Sequence, residues 1–368
     1  MKKTTFWVII FILIVIIASY LLYQNQVQKP SEKETIKIGA ILPLTGKMAL
    51  IGEQVKNGSL LAEEDINAKN RKKIEVLYED SKSDPKEGVV VANKLIDINN
   101  VKYIHVVTTP IISAIQPIIE ERGVVMTAVS ISPAILKDTN FSLRTFYNQD
   151  QAVEKLNEFI NWRKYSKIVA MFQNGDAWES QITQLENKGI IFIKKEKFNI
   201  DEKDFRTTLL KIKNENPDTL LLLGYGSNFP AIFKQMAELK MENLKVLGGL
   251  DFLEVPGDSL SLYKNVVFVV PAFNFIQTDK TREFTNRYEQ RFGSKPNHQA
   301  AYAYDTINLI YLGATQTDGS PESMIKYLKN FGEYNGVLGK TNLTNGDMRS
   351  DLSFATYQDG KLVLYELK

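Results

Sequence analysis

The sequence of 368 residues contains no cysteine and only two histidines, His105 and His298. Disulfide bonds, cysteine-based zinc sites and thiol nucleophiles are therefore excluded, and a site with several histidine ligands is not expected. His105 lies in an apolar strand and is expected to be a core residue, whereas His298 precedes a helix and is expected at the surface or as a cap. We find no nucleophile motif, metal-binding helix motif or phosphate-binding loop, so neither catalysis nor a metal or other cofactor is expected.

An excess of charge of one sign is also missing. The 45 basic and 43 acidic residues leave a net charge of +2. No large basic field predicts binding to nucleic acid, and no acidic tract predicts a disordered tail. A hydrophobic content of 44% with 24% charged residues is typical of a globular protein, and the length allows about two domains.

One long hydrophobic run is present, at the amino terminus. Lys2 and Lys3 precede an apolar segment over residues 6–22, a pattern typical of a secretory signal or a short membrane anchor. The residues that end the run do not form the small-residue pattern of a cleavage site. We favour an uncleaved anchor within residues 1–23 and a polar tether over residues 24–35, with a cleaved signal as the alternative. Either interpretation places the globular part outside the cytoplasm, on the periplasmic or cell-surface side.

Strands and helices alternate from residue 36 onward. Short apolar runs predict strands at residues 36–42, 74–79, 103–107, 124–129, 167–172, 190–195, 219–223, 245–247 and 266–270. Helical spacing predicts helices from Gly52, from Pro85 with Asp84 as its cap, for about ten residues around 116–121, and over residues 150–163, 177–188, 204–214, 230–240, 280–291 and 299–314. Two final β-rich runs joined by Gln358-Asp359-Gly360 predict a hairpin. The repeated βα units imply an α/β fold of mostly parallel sheets covered on both faces, with a domain boundary near residue 149.

Several short motifs follow one another in a recognisable order. They are Pro-Leu-Thr-Gly at residues 43–46, Gly52-Glu53 with Gly58, Asp-Ile-Asn-Ala-Lys at residues 65–69, Tyr304-Asp305, and Asn-Gly-Val-Leu-Gly at residues 335–339. In this order they resemble the type I periplasmic solute-binding proteins of the leucine/isoleucine/valine-binding kind. The resemblance covers residues 36–368.

The resemblance implies two Rossmann-like lobes joined by a hinge that the chain crosses three times. The first lobe would comprise residues 36–149 plus 275–348, and the second residues 150–274 plus 349–368. A small ligand would bind between the lobes, at the carboxyl ends of the strands, where open α/β sheets place their ligands.

In the first lobe, the resemblance implies that strand-end hydroxyls and backbone N–H groups hold the carboxylate of an amino acid. Thr108 and Thr109 follow the strand at residues 103–107, and Ser130 and Ser132 follow the next one. Hydroxyl and amide donors suit an anion without a full counter-charge. The alternative is that these side chains only cap helices.

In the second lobe, Trp178 stands where the family keeps an aromatic residue that closes over the ligand, and lobe packing is its alternative role. Tyr225 coincides with the family's tyrosine in a Gly-Tyr segment. Asp251 is the candidate partner of the ligand ammonium, but the register is ambiguous by one residue, and the alternative alignment places Leu250 at the family's acidic position. In that case the anchor for the amine is absent and Asp251 is a solvated loop carboxylate.

Three further positions bear on the ligand. Tyr302 and Tyr304 are two apart on a helix and point to different faces, and we prefer Tyr304 because it matches the family's Tyr-Asp pair. Ile51 replaces an aromatic residue of the leucine-binding members, and the loop at residues 108–112 replaces their serine-rich loop. Both departures bear on ligand identity.

The predicted function is therefore that of an extracytoplasmic solute-binding protein of an ABC-type importer, with no enzymatic activity. Its ligand would be small and polar. We expect an amino acid, with branched-chain amino acids among the candidates, and closure of the hinge would bury it. The resemblance implies ABC permease subunits as partners, and the amino-terminal segment implies the membrane. The alternative is a ligand-sensing module of a receptor with the same fold.

Overall fold

The computed structural model describes residues 15–19, 35–46, 48–255 and 257–367. Apart from the helical and exposed residues 15–19, the predicted anchor lies outside the described residues, as does the tether except for Thr35. None of the helices in the described part of the chain is both long and apolar enough to cross a lipid bilayer. The anchor and the tether remain predictions.

Strands and helices alternate along the chain from residue 36. The strands are β1 (Ile36–Leu42), β2 (Ile74–Asp80), β3 (Tyr103–Val107), β4 (Val125–Val129), β5 (Ser142–Arg144), β6 (Ile168–Gln173), β7 (Phe192–Phe198), β8 (Thr219–Leu223), β9 (Lys245–Gly248), β10 (Val266–Pro271), β11 (Gly332–Gly336), β12 (Gly339–Thr344), β13 (Asp347–Ser350), β14 (Leu352–Gln358) and β15 (Lys361–Leu364). The helices are α1 (Ala49–Lys69), α2 (Pro85–Asn93), α3 (Thr109–Arg122), α4 (Gln149–Arg163), α5 (Asp176–Asn187), α6 (Arg206–Asn214), α7 (Phe229–Glu238), α8 (Asp279–Phe292), α9 (His298–Gln316) and α10 (Pro321–Lys329). Short 3₁₀ helices include Pro133–Leu136 and Leu250–Glu254.

The strands form two sheets, each of which is mostly parallel. The first has the order β11-β12-β13-β5-β4-β3-β1-β2, and the second has the order β15-β14-β10-β9-β8-β6-β7. Strands β1 to β5 pair in parallel, as do β6 to β10, while the hairpins β11–β12–β13 and β14–β15 add antiparallel pairs. The predicted fold of two α/β lobes is confirmed, with antiparallel strands at one edge of each sheet. We call the lobe built on the first sheet the first lobe and the other the second lobe.

The chain passes between the two sheets three times, after β5, after β10 and after β13. We propose lobe boundaries at these passages. Because β13 runs to Ser350 in the first sheet, the third boundary lies about two residues later than residue 348, where the sequence resemblance placed it.

Close backbone approach explains two glycines of the opening motif. A Cβ on Gly58 of α1 would overlap the backbone carbonyl of Ala300 in α9, and one on Gly52 would overlap that of Pro43. Gly52 was predicted to begin its helix, but α1 begins at Ala49. The extra first turn carries the exposed Leu50, so core-facing periodicity does not reveal it.

Local signals fix several other element ends. The Asp84 side chain accepts a hydrogen bond from the N–H of Lys86 at 2.8 Å, which confirms it as the cap of α2. Asp359 and Gly360 have φ values of 50° and 72° between β14 and β15, the backbone that a two-residue hairpin turn requires. His105 is fully buried in β3, as expected.

Candidate functional site

The predicted binding residues of the first lobe lie at the carboxyl ends of β3 and β4. Thr109 begins α3, and its hydroxyl shares a hydrogen bond of 2.8 Å with the hydroxyl of Ser130. The N–H of Ser132 donates to the same Ser130 oxygen at 3.1 Å. The structure therefore brings Thr109, Ser130 and Ser132 into one polar cluster, which we call the hydroxyl cluster.

The two outer members of the predicted set have backbone roles. Thr108 has φ 81°, a left-handed value that is unusual for a residue with a branched side chain. The Ser132 hydroxyl accepts a hydrogen bond from the N–H of Ala134 at 3.3 Å and caps the 3₁₀ helix Pro133–Leu136. The capping alternative thus describes the hydroxyl of Ser132, while Thr109 and Ser130 bond to each other.

A buried arginine that sequence reasoning did not identify supports this loop. Arg144 is fully buried, and its Nη1 donates to the carbonyl of Ile131 at 2.8 Å. Its Nε and Nη2 donate to the two carboxylate oxygens of Asp347 at 2.8 Å each. The side chain of Asn148 donates to Asp347 at 2.8 Å as well. This network links the loop after β4 to β13 and holds the hydroxyl cluster in place.

In the second lobe, Trp178 and Tyr225 form one aromatic pair. Their rings meet edge to face with centroids 5.0 Å apart. Trp178 is 7% exposed and Tyr225 is 38% exposed, so the tyrosine presents its surface to solvent while the indole lies behind it. The backbone N–H of Tyr225 donates to Oε1 of Gln173 at the end of β6, at 3.1 Å. The structure brings together these two residues, as the resemblance implies.

Asp251 follows β9 in the 3₁₀ helix Leu250–Glu254, together with a second acid, Glu254. The helix packs so closely on Gly226 that a Cβ there would lie 2.6 Å from the carbonyl oxygen of Asp251. Burial raises the pKa of Asp251 to about 8, and the charge of Glu254 adds to this shift. Burial also raises the pKa of Glu254 to about 7.

The carboxyl groups of both acids lie against protein atoms, although Asp251 as a whole residue is partly buried and Glu254 is exposed. Desolvation raises the pKa of both carboxyl groups, and the charge of Glu254 adds to the shift of Asp251. The carboxylate of Asp251 also raises the pKa of Tyr225 next to it, in addition to the effect of burial.

Contacts between the lobes converge on the same acids. Nε2 of Gln299, at the start of α9, donates to Oε1 of Glu254 at 3.0 Å. Tyr147 is 3% exposed, and its pKa is raised by burial and by the neighbouring Asp251. We call the space where the carboxyl ends of both sheets approach each other the cleft. Glu254, Gln299 and Tyr147 were not predicted, and the only sequence signal was a second acid three residues after Asp251.

Aromatic side chains fill the region where the lobes join. Phe146 packs against Tyr302 with ring centroids 4.9 Å apart and against His298 at 6.0 Å. The hydroxyls of Tyr302 and Ser350 share a hydrogen bond. His298 was expected at the surface or as a cap; it is the first residue of α9, but it is only 2% exposed because Phe146 covers it.

The structure does not join Tyr304 to the other candidates. Its hydroxyl donates to Asp65 of α1 at 2.7 Å, and its ring lies 4.9 Å from that of Phe284 in α8. Together with Asp305 it lines a separate cavity of about 240 Å³ in the first lobe. Tyr302, on another face of α9, is the tyrosine of this helix that reaches the junction of the lobes. Ile51 lies partly buried in the first turns of α1.

Two of the sequence motifs, Tyr304-Asp305 and residues 335–339, contact each other in the structure. The carboxylate of Asp305 accepts hydrogen bonds from the N–H groups of Val337 and Leu338 at 2.9 and 3.0 Å. A Cβ on Gly336 would overlap this carboxylate. The Tyr-Asp and Asn-Gly-Val-Leu-Gly motifs therefore form one packing unit. Among the described residues, no cluster of His, Asp and Glu side chains has the arrangement of a metal site.

Comparison with known proteins agrees with the fold described above. The family model for the periplasmic binding proteins matches residues 35–361. This chain belongs to that family. The resemblance deduced from the sequence motifs is confirmed.

The periplasmic binding proteins most similar to this chain include proteins named for aliphatic amino acids. The Leu/Ile/Val-binding protein BraC3 of Rhizobium johnstonii is 29% identical over 231 residues, which cover 60% of this chain and 62% of that relative. The branched-chain amino acid transporter substrate-binding protein LivJ of Streptococcus pneumoniae, solved with isoleucine, superposes with a TM-score of 0.78 at 21% identity. That match covers 89% of this chain and 98% of LivJ.

Another solved member of the fold holds a different kind of ligand. A solute-binding protein of an ABC transporter from Rhodopseudomonas palustris, in complex with 3,4-dihydroxybenzoic acid, superposes with a TM-score of 0.76 at 23% identity. The match covers 90% of this chain and 96% of that one. At this identity the two structural matches establish the shared fold.

Proposed function

We propose that this protein is the extracytoplasmic solute-binding component of an ABC-type importer and that it binds an amino acid in the cleft. Membership of the periplasmic binding protein family supports the binding role. The names of BraC3 and LivJ, which refer to branched-chain amino acids, support an amino acid as the class of ligand. ABC permease subunits would be the partners of the loaded form.

The observation that carries this proposal is the opposite polarity of the two lobes at the cleft. The first lobe offers the hydroxyls of Thr109 and Ser130 at the amino-terminal end of α3, where hydroxyl and N–H donors and the helix dipole favour a carboxylate. The second lobe offers the carboxyl group of Asp251 beside Tyr225, which suits an ammonium group. A zwitterionic amino acid matches both.

A simple aromatic carboxylate matches only one side of this arrangement. Benzoate-like ligands share the carboxylate that the hydroxyl cluster would bind. They carry no cation for Asp251, and their closed complex would leave that acid unpaired at a cost in binding free energy. We therefore place amino acids ahead of aromatic acids.

Closure of the lobes around the ligand is part of the proposal. The three chain passages between the sheets would serve as the hinge, and hinge closure is the usual response of two-lobed binders. Small-angle scattering should show a smaller radius of gyration when the ligand is present. An unchanged radius at saturating ligand would contradict closure.

Thermal unfolding of the full chain with a panel of amino acids and benzoates tests the ligand class. A ligand present at one hundred times its dissociation constant stabilises the folded state by about 2.7 kcal/mol. We expect stabilisation by at least one amino acid, and loss of most of it in Thr109→Val. The matched control is Thr344→Val, at an exposed position of β12 in the same lobe. Stabilisation by benzoates alone, or equal effects of the two variants, would contradict the proposal.

A sensing module is the competing function, since a receptor domain with this fold would use the same cleft. The genes beside this one distinguish the two. Permease and ATPase genes would favour import, and a kinase or chemoreceptor gene would favour sensing.

A further inference from the structure

We infer that the preferred ligand carries a second positive charge besides its α-ammonium group, as an amino acid with a cationic side chain does. This inference rests on the proposed function, because it places the ligand in the same cleft, and it adds Glu254 as the residue that determines specificity.

The first argument is a count of charges on the second-lobe side of the cleft. An α-ammonium group needs one carboxylate, and the 3₁₀ helix Leu250–Glu254 supplies two, Asp251 and Glu254. Neither forms an ion pair with any lysine, arginine or histidine of the described residues. The groups that shift the pKa of the two acids include no cation either. Two neighbouring carboxyl groups without a counter-charge match a ligand with two positive charges.

The second argument comes from a buried polar atom that has no partner in the protein. Oε1 of Gln299 makes no hydrogen bond, and this side chain is only 3% exposed. Gln299 contacts Glu254 through its other terminal atom, so the unpaired oxygen lies next to the acids, as do Trp178 and Tyr147 beside Asp251. Buried polar groups are normally paired, so the unpaired acceptor beside these acids indicates that a ligand completes the set.

The acceptor atoms at this site favour a cation with several N–H donors. Oε1 of Gln299 accepts hydrogen bonds, as do the two carboxyl groups. The ring of Tyr225, 38% exposed and stacked edge to face on Trp178, offers an aromatic face that attracts ammonium and guanidinium groups. Guanidinium and primary ammonium groups present three or more donors each. An aliphatic side chain would leave Glu254 without a ligand partner and Gln299 Oε1 unpaired.

Calorimetric titration of the full chain with arginine, lysine, leucine and isoleucine tests the inference without any mutation. We expect arginine or lysine to bind about tenfold or more tightly than leucine, the range of one additional charge-assisted hydrogen bond. Leucine or isoleucine binding more tightly than both basic amino acids would overturn the inference and leave the proposed function intact. Binding of none of the four, by protein that unfolds cooperatively, would count against both.

The variant Glu254→Gln assigns the preference to one side chain. This variant keeps the size of the side chain and its ability to form a hydrogen bond with Gln299, but it removes the negative charge. We expect the ratio of arginine or lysine affinity to leucine affinity to fall about tenfold, with leucine affinity equal or higher. Glu242→Gln, an exposed acid before β9 in the same lobe, is the control and should leave the ratio unchanged. An unchanged ratio in Glu254→Gln would overturn the role of this residue.

Discussion

The substitution Asp347→Ala tests how strongly one buried charge pair holds the first lobe together. Arg144 is 0% exposed, and two of its nitrogens donate to Asp347 at 2.8 Å each. Without Asp347 the guanidinium keeps the carbonyl of Ile131 as an acceptor but has no counter-charge. Removing the partner of a fully buried cation costs more free energy than the intact pair contributed to stability, because the desolvation of the cation is then no longer compensated.

The size of the effect follows from burial. Breaking a buried pair by removing one partner costs about 3–5 kcal/mol. The side chain of Asp347 is 21% exposed, so water partly reaches the vacated position and we expect the lower end, about 3 kcal/mol. With an unfolding entropy of about 2.1 cal/mol/K per residue, this corresponds to a Tm lower by about 4 °C for one cooperative unit.

Urea denaturation followed by circular dichroism and by tryptophan fluorescence measures this loss. Glu87→Ala is the control, since its pair with Lys82 is exposed at 33% and 59% and such pairs contribute at most about 1 kcal/mol. The double variant Arg144→Met with Asp347→Leu removes both charges and should recover most of the stability. A loss in Asp347→Ala no larger than in Glu87→Ala would refute the reasoning. So would a double variant that is less stable than the single one.

Two further substitutions test packing and titration. Gly58→Ala should destabilise the fold by about 1–3 kcal/mol in thermal unfolding, because the new Cβ would overlap the Ala300 carbonyl. The control Gly257→Ala has open space around the new Cβ and should leave the stability unchanged. Equal effects of the two variants would contradict the packing argument. Burial lowers the pKa of His105 to about 4, below its unfolded value of about 6.5, so the unfolded state binds the extra proton and stability falls as the pH drops from about 6.5 to 4. His105→Asn should reduce that slope by up to about 1.4 kcal/mol per pH unit in urea titrations between these pH values, and an unchanged slope would contradict the assignment.

The strands of the βα units and of the final hairpin were predictable to within about three residues, and the reason is physical. A strand buried on both faces must be apolar throughout, and β8, for example, reads Thr-Leu-Leu-Leu-Leu between turns. The strands β5, β11, β12 and β13 were not predicted, because they are short or contain many polar residues. Helix starts were less predictable. The helix predicted for about ten residues around residues 116–121 begins at Thr109, and its buried isoleucines continue the apolar face back to Ile111.

For the candidate site, too, some features were predictable from the sequence and others were not. Trp178 and Tyr225 follow β6 and β8, which are neighbouring strands of one sheet, so the strand pattern and the resemblance placed both at the same sheet edge. The two tyrosines of α9 show the limit. The spacing indicated correctly that Tyr302 and Tyr304 point to different faces, but it contained no information on which face meets Asp65 and which meets the junction of the lobes.

The sequence by itself determined the α/β fold, the order of the βα units and the strand ends at which ligand-binding side chains lie. These depend on the alternation of apolar and polar residues over short stretches, and such a pattern is visible in each short segment of the sequence. Only the tertiary structure decided which polar groups meet. Arg144 and Asp347 are 203 residues apart, and Glu254 and Gln299 are 45 apart in different lobes. Such pairs depend on how sheets and lobes pack, and local periodicity contains no record of that packing.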